Sequence, residues 1–149
     1  MRVHEVVAMG LWSRIGSFGA LRREDRSAVS DALAAVGLTG FDKRWMGELS
    51  AGQAQRVLFA HVLLQDAELI LLDEPFSALG PAMRREMLEL VAEKLKGRTV
   101  LMVTHDPEDA KQIADLLVMV DGGVANAPVA TSKAFARPGP ALAAYLGRK

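Results

Sequence analysis

Apolar residues at Val29, Leu33 and Val36 recur at i, i+4 and i+7, and Gly37 follows where a helix-ending glycine belongs. That spacing predicts a helix from about Asp25. Val3, Val6 and Val7 predict a shorter helix before it, ended by Gly10 or the loop beyond. Residues 12–23 have no clean period and carry Gly16 and Gly19, so a loop or a short helix is expected. A further helix is predicted from Ser50 to about Leu64. The period then changes. Leu69-Ile70-Leu71-Leu72-Asp73 is a short continuous apolar run, the pattern of a strand buried on both faces.

Gly80-Pro81 opens the next helix, with proline at the first helical position. Met83, Met87, Leu90 and Val91 are predicted to face the core, and Arg84, Arg85, Glu86 and Glu89 to face water. Residues 99–104 read as a second buried strand, and Asp106-Pro107 as the start of another helix. Residues 116–120 read as a third strand, turned by Asp121-Gly122-Gly123. Pro138 and Pro140 precede a short helix through Tyr145. Strands alternating with helices predict an α/β fold with a parallel sheet and right-handed crossovers. Two regions are expected, a helical one over residues 1–65 and a strand-bearing one over 66–149.

Composition narrows the function classes. The 149 residues carry 18 Lys+Arg and 18 Asp+Glu, a net charge of zero, which argues against a basic nucleic-acid surface. There is no cysteine, so disulfides and thiolate metal sites are excluded. Residues 57–72 form the most apolar stretch, yet His61, Gln65, Asp66 and Glu68 interrupt it well short of the ~20 apolar residues that span a bilayer. No secretory signal is visible at Met1-Arg2-Val3-His4-Glu5, and a cytoplasmic protein is expected. His4, His61 and His105 are too scattered to suggest a metal site.

Three segments can carry chemistry. Leu49-Ser50-Ala51-Gly52-Gln53 has the spacing of a capping box, Ser followed three residues later by Gln. The same small residues at a helix start also suit a phosphate, because N–H groups and the positive end of the helix dipole converge there. Spacing alone leaves both readings open. Leu71-Leu72-Asp73-Glu74-Pro75 ends an apolar strand with two acids, a costly place for charge unless a ligand uses it. Asp73 can orient Mg²⁺ through water, and Glu74 can polarise an attacking water. His105 ends the second predicted strand and can reach a terminal phosphate, whereas Asp106 has a structural task as N-cap.

The order of these segments resembles the ATP-binding subunit of ABC transporters. Leu49 to Gln53 look like the family's signature motif, Leu69 to Pro75 like its Walker B segment, Ser77-Ala78-Leu79-Gly80 like its D-loop, and His105 like its switch histidine. The resemblance covers nearly the whole chain. It implies an incomplete P-loop NTPase core with a parallel sheet flanked by helices, joined to a helical signature subdomain within residues 1–65. It also implies that Asp73 supports Mg²⁺, that Glu74 is the general base for ATP hydrolysis, and that His105 contacts the γ-phosphate. Ser50, Gly52 and Gln53 would contact ATP held by the opposite subunit of a head-to-tail dimer. Transmembrane permease subunits would dock on the helical subdomain, with the chain peripheral on the inner face of the cell membrane.

The sequence departs from that pattern in several places. No lysine directly follows a glycine, so the phosphate-cradling G-x-x-x-x-G-K-[ST] loop is absent, and so is the glutamine loop. The expectation is therefore a truncated subunit, the C-terminal part of an importer ATPase, inactive without a P-loop portion. Ala51 stands where the signature usually has glycine, and Gly80 replaces the usual D-loop aspartate. Residues 1 to about 75 look most like ATPases of zinc or manganese importers, and those from Phe76 onward like ATPases of thiamine importers. The competing functional class is a non-hydrolysing regulatory or dominant-negative module that docks on transporter subunits. A soluble ABC-type ATPase of DNA repair or translation is disfavoured, because neither long heptad arms nor a second ATPase half is visible.

Overall fold

The computed structural model describes residues 1–16, 20–77 and 79–147. They fall into two compact units, Met1–Val103 and Thr104–Lys149.

The first unit begins with helix α1 (Val3–Ala8), which continues through a 3₁₀ turn (Met9–Leu11) into the short α2 (Trp12–Ile15). The first N–H groups of α1, which have no partner inside the helix, are met by the loop before α4: Val3 donates to Arg44 at 2.9 Å and His4 to Asp42 at 3.0 Å. The helix ends neither at Gly10 nor in a loop beyond it, since α1 passes at Met9 into the 3₁₀ turn. Gly10 lies buried inside that turn, where a Cβ would stand 2.5 Å from the His61 carbonyl oxygen. Gly19 lies outside the described residues.

Helix α3 (Arg23–Ala35) places Val29, Ala32 and Leu33 in the core, and Gly37 follows with φ 74°. Helix α4 (Ala51–Gln65) packs against both α1 and α3. Val57 and Ala60 are fully buried. Phe59 and Val62 instead line a small apolar cleft with Leu72, Phe76, Met87 and Val91. Apolar positions therefore surround α4 more widely than the single stripe of a surface helix.

Strand β1 (Leu69–Asp73) and strand β2 (Thr99–Val103) pair in parallel, from Leu69 opposite Thr99 to Asp73 opposite Val103. Helix α5 (Pro81–Lys94) is the crossover between them. Its core face is Met87, Leu88 and Val91, with Met83 and Leu90 half-buried, so Leu88 takes the place expected of Leu90. The expectation of a ladder buried on both faces is corrected. Ile70 is buried at 5% exposure, but Leu69, Leu71, Leu101 and Val103, which share the opposite face, are 54% to 67% exposed. Among the described residues, α5 and α4 supply cover for one face only.

In the second unit, α6 (Pro107–Ile113) starts at Asp106, whose carboxylate accepts from the Glu108 N–H at 2.9 Å. Strand β3 (Leu116–Leu117) pairs antiparallel with β6 (Val129–Ala130), and β4 (Val120–Asp121) with β5 (Val124–Ala125). The single strand predicted over 116–120 is thus two short pieces, both in antiparallel ladders rather than a parallel one. Gly122 and Gly123 turn the hairpin with φ 54° and 80°. Helix α7 (Thr131–Ala136) follows, and α8 (Pro140–Tyr145) ends where the sequence predicts.

Candidate functional site

The signature segment begins with Ser50 as the N-cap of α4. Its hydroxyl accepts from the Gln53 N–H at 3.3 Å, and the Gln53 side chain accepts from the Ser50 N–H at 3.1 Å. The capping box therefore exists, and it presets the start of a 15-residue helix whose dipole favours an anion at this end. Gly52 is buried. A Cβ there would meet Met83 Cε at 3.0 Å and its Cγ and Sδ at 3.2 Å, so a glycine lets the first turns of α4 and α5 approach closely.

Arg56, one turn further along α4, joins three elements. Nη1 donates to the Val36 carbonyl at 2.9 Å, just past the end of α3, and Nη2 pairs with Glu86 of α5. A cation at a helix C-terminus is favourable, but Val36 and Glu86 lie 20 and 30 residues away, so no local pattern announces the link.

Asp73 closes β1 and is exposed. Glu74 follows with φ 41°, a left-handed backbone conformation that costs a non-glycine residue about 1–3 kcal/mol. Three hydrogen bonds impose it. The Glu74 N–H donates to the Val103 carbonyl at 2.9 Å, and its own carbonyl accepts from the Ser77 N–H at 3.2 Å and the Ser77 hydroxyl at 3.1 Å. Phe76 is buried beneath the turn. The backbone is held to present two acids side by side at the carboxyl end of a parallel strand, where ligands bind in α/β sheets. Ala78 of the D-loop segment lies outside the described residues.

Ser50, Gly52, Gln53, Asp73 and Glu74 all belong to the first unit, and His105 to the second. His105 is exposed, and its carbonyl accepts a hydrogen bond from the Tyr145 hydroxyl. His4 and His61 have structural partners: Nδ1–H of His4 donates to the Asp42 carbonyl at 2.9 Å, and that of His61 to the Val6 carbonyl at 3.2 Å. No group of three or more metal-binding side chains occurs among the described residues. Two adjacent exposed carboxylates instead suit a hydrated Mg²⁺ that arrives with phosphates, since Mg²⁺ keeps several waters and needs few protein ligands.

Comparison with known proteins decides the family. The family model described as ABC transporter matches residues 2–77, which run from the start of α1 through the capped helix and the Asp73-Glu74 turn. The chain belongs to the ABC transporter family. Among its relatives is the thiamine import ATP-binding protein ThiQ of Ruegeria sp., 47% identical over 129 residues, covering 85% of this chain and 56% of that protein. The protein of the same name from Cereibacter sphaeroides is 51% identical over 125 residues, covering 83% of this chain and 54% of its own length. The chain thus spans about half the length of these relatives. Among solved structures, an inward-facing ABC transporter described as of the metal-chelate type superposes with a TM-score of 0.86 at 28% identity, over 99% of this chain and 58% of that one. The α/β architecture matches part of a P-loop NTPase core. Among the described residues of this ABC family chain, no helix is long and apolar enough to cross a membrane.

Proposed function

We propose that this chain is the signature-and-switch portion of the ATP-binding subunit of a thiamine importer. The observation that carries the reading is the Asp73-Glu74 turn, where a strained backbone offers two acids to solvent at the end of a parallel strand. Relatives named for thiamine import, at 47% and 51% identity, favour thiamine over the zinc or manganese resemblance of residues 1–75. In this reading Glu74 takes a proton from the water that attacks the terminal phosphate, and His105 orients that phosphate. Asp73 would hold a hydrated Mg²⁺, and that ion would supply neutralisation of the phosphate charge when bound. Ser50, Gly52 and Gln53 offer the start of α4 to ATP carried by a second ATP-binding subunit. Permease subunits are the membrane partners, and the chain works on the inner face of the cell membrane.

Positioning and charge stabilisation dominate phosphoryl transfer, and this chain has no Gly-Lys phosphate loop to supply them. By itself it is therefore expected neither to bind ATP tightly nor to hydrolyse it. Calorimetry with Mg²⁺-ATP tests this on the chain alone, and again after adding the segment of the Ruegeria relative that this chain does not match. Binding and turnover should emerge only in the mixture. Asp73→Asn should weaken binding there, and Glu74→Gln should abolish turnover while retaining binding. Mg²⁺-dependent turnover by the chain alone, lost in Glu74→Gln, would overturn the proposed inactivity. A mixture that docks on permease subunits but never turns over ATP would favour the non-hydrolysing module instead. Uptake of thiamine, and not of zinc or manganese, in cells whose own thiamine-import ATPase is deleted tests the substrate.

A further inference from the structure

His105 lies in a segment held from several directions within the second unit. On its N-terminal side, the Thr104 hydroxyl donates to the Asp109 carboxylate at 3.0 Å and accepts from the Asp106 N–H at 3.1 Å. Asp109 is buried at 3% exposure, so this end of the segment is anchored on a carboxylate shielded from water. On its C-terminal side, Asp106 caps α6 through the Glu108 N–H. The carbonyl of His105 itself is met from 40 residues away, by the hydroxyl of Tyr145 at the end of α8.

Helix α8 is placed to make that reach. Pro140 opens it and Leu142, at 4% exposure, is buried. Tyr145 is half exposed, so water competes for its hydroxyl and the bond adds little to global stability. A bond of that kind matters through geometry. It fixes the direction of the peptide that carries the imidazole, and a misplacement of about 1 Å at a reacting group can cost ~100-fold in rate.

We propose that Tyr145 is a positioning residue for His105, so that the C-terminal helix sets the geometry of the switch histidine. The inference rests on the nucleotide-contacting role proposed for His105, and its test separates the two. The minimal variant is Tyr145→Phe, which keeps the ring and removes only the hydroxyl. Amide hydrogen exchange on the full chain should quicken about fivefold at His105 and Asp106, with an unchanged melting temperature. In the mixture with the segment of the Ruegeria relative, Tyr145→Phe should lower kcat about threefold or more at constant KM, and it should have no further effect in a His105→Ala background. Exchange that does not change at His105 and Asp106 overturns the clamp. Faster exchange with an unchanged kcat, or effects that add to those of His105→Ala, overturn the positioning role. His105→Ala is expected to lower turnover but leave a measurable residue. Turnover that His105→Ala leaves at the wild-type rate removes the role proposed for the histidine and with it the positioning role, while the exchange data still decide whether the clamp exists.

Discussion

Two regions of the first unit treat their apolar residues in opposite ways. The helical layer of α1, α3 and α4 buries what its period says it should: Val3, Val7, Leu33 and Val57 are all within 1% of full burial. The β1–β2 ladder, equally apolar in sequence, is covered on the Ile70 face and open on the Leu69, Leu71, Leu101 and Val103 face. A helix stripe needs one neighbour, and these helices supply it to each other. A strand apolar at every position needs two layers. The described residues of this unit provide one. The α1–α3–α4 layer is thus closed on itself at these positions, whereas the described residues of the unit cover the sheet on one face.

Substitutions that probe this contrast should have graded effects. The largest is expected at the closed layer, where Leu33→Ala removes a fully buried side chain and should cost about 3–4 kcal/mol in chemical denaturation. Gly10→Ala should cost about 2–3 kcal/mol by the same measurement, because its Cβ would collide with the backbone of α4 at the His61 carbonyl and cannot be relieved by a rotamer change. Gly52→Ala should cost less, about 1 kcal/mol, since the obstructing atoms belong to the flexible Met83 side chain.

A smaller and pH-dependent effect is expected at Asp25. The Arg22 N–H at 2.9 Å, and then the Arg14 guanidinium at 2.6 Å, hold this carboxyl below its usual value of 3.8. A lowered native pKa stabilises the fold above the unfolded-state value near 3.9, and that contribution is lost as pH falls through the native value. Urea midpoints measured from pH 7 down to 2 should therefore drop more steeply for the wild type than for Asp25→Asn below about pH 4. The smallest effect belongs to the open face. Leu71→Thr should move the denaturation midpoint by less than about 0.5 kcal/mol, since the side chain is 67% exposed. A large loss there would mean that the face is covered in solution and would break the contrast.

Legibility in the sequence followed the range of each interaction. The Ser50–Gln53 capping box spans three residues and was readable, as were the helix faces around Val29 and Leu33. Asp106 was readable as an N-cap for the same reason. Asp73 and Glu74 stood out as two acids ending an apolar run; both are exposed, so the desolvation cost expected there is not incurred. The left-handed φ of Glu74 left no local signal, since it comes from the Val103 carbonyl and the Ser77 turn. Arg14 with Asp25, Arg56 with Val36 and Glu86, and Tyr145 with His105 bridge 11 to 40 residues and left no trace in any local pattern.

By itself, then, the sequence determined what the periods of helix and strand, local capping, and the order of its chemical segments can encode: an α/β chain, its principal helices and first strands, and the acids and histidine that mark the candidate site. Only the tertiary structure decided which apolar face stayed open, why Gly10 and Gly52 cannot carry a side chain freely, and which distant side chains hold the site's backbone. The physical reason is that periodicity reports on neighbours one turn or two residues away. Burial and hydrogen bonding across tens of residues depend on which elements meet, and no single segment contains that information.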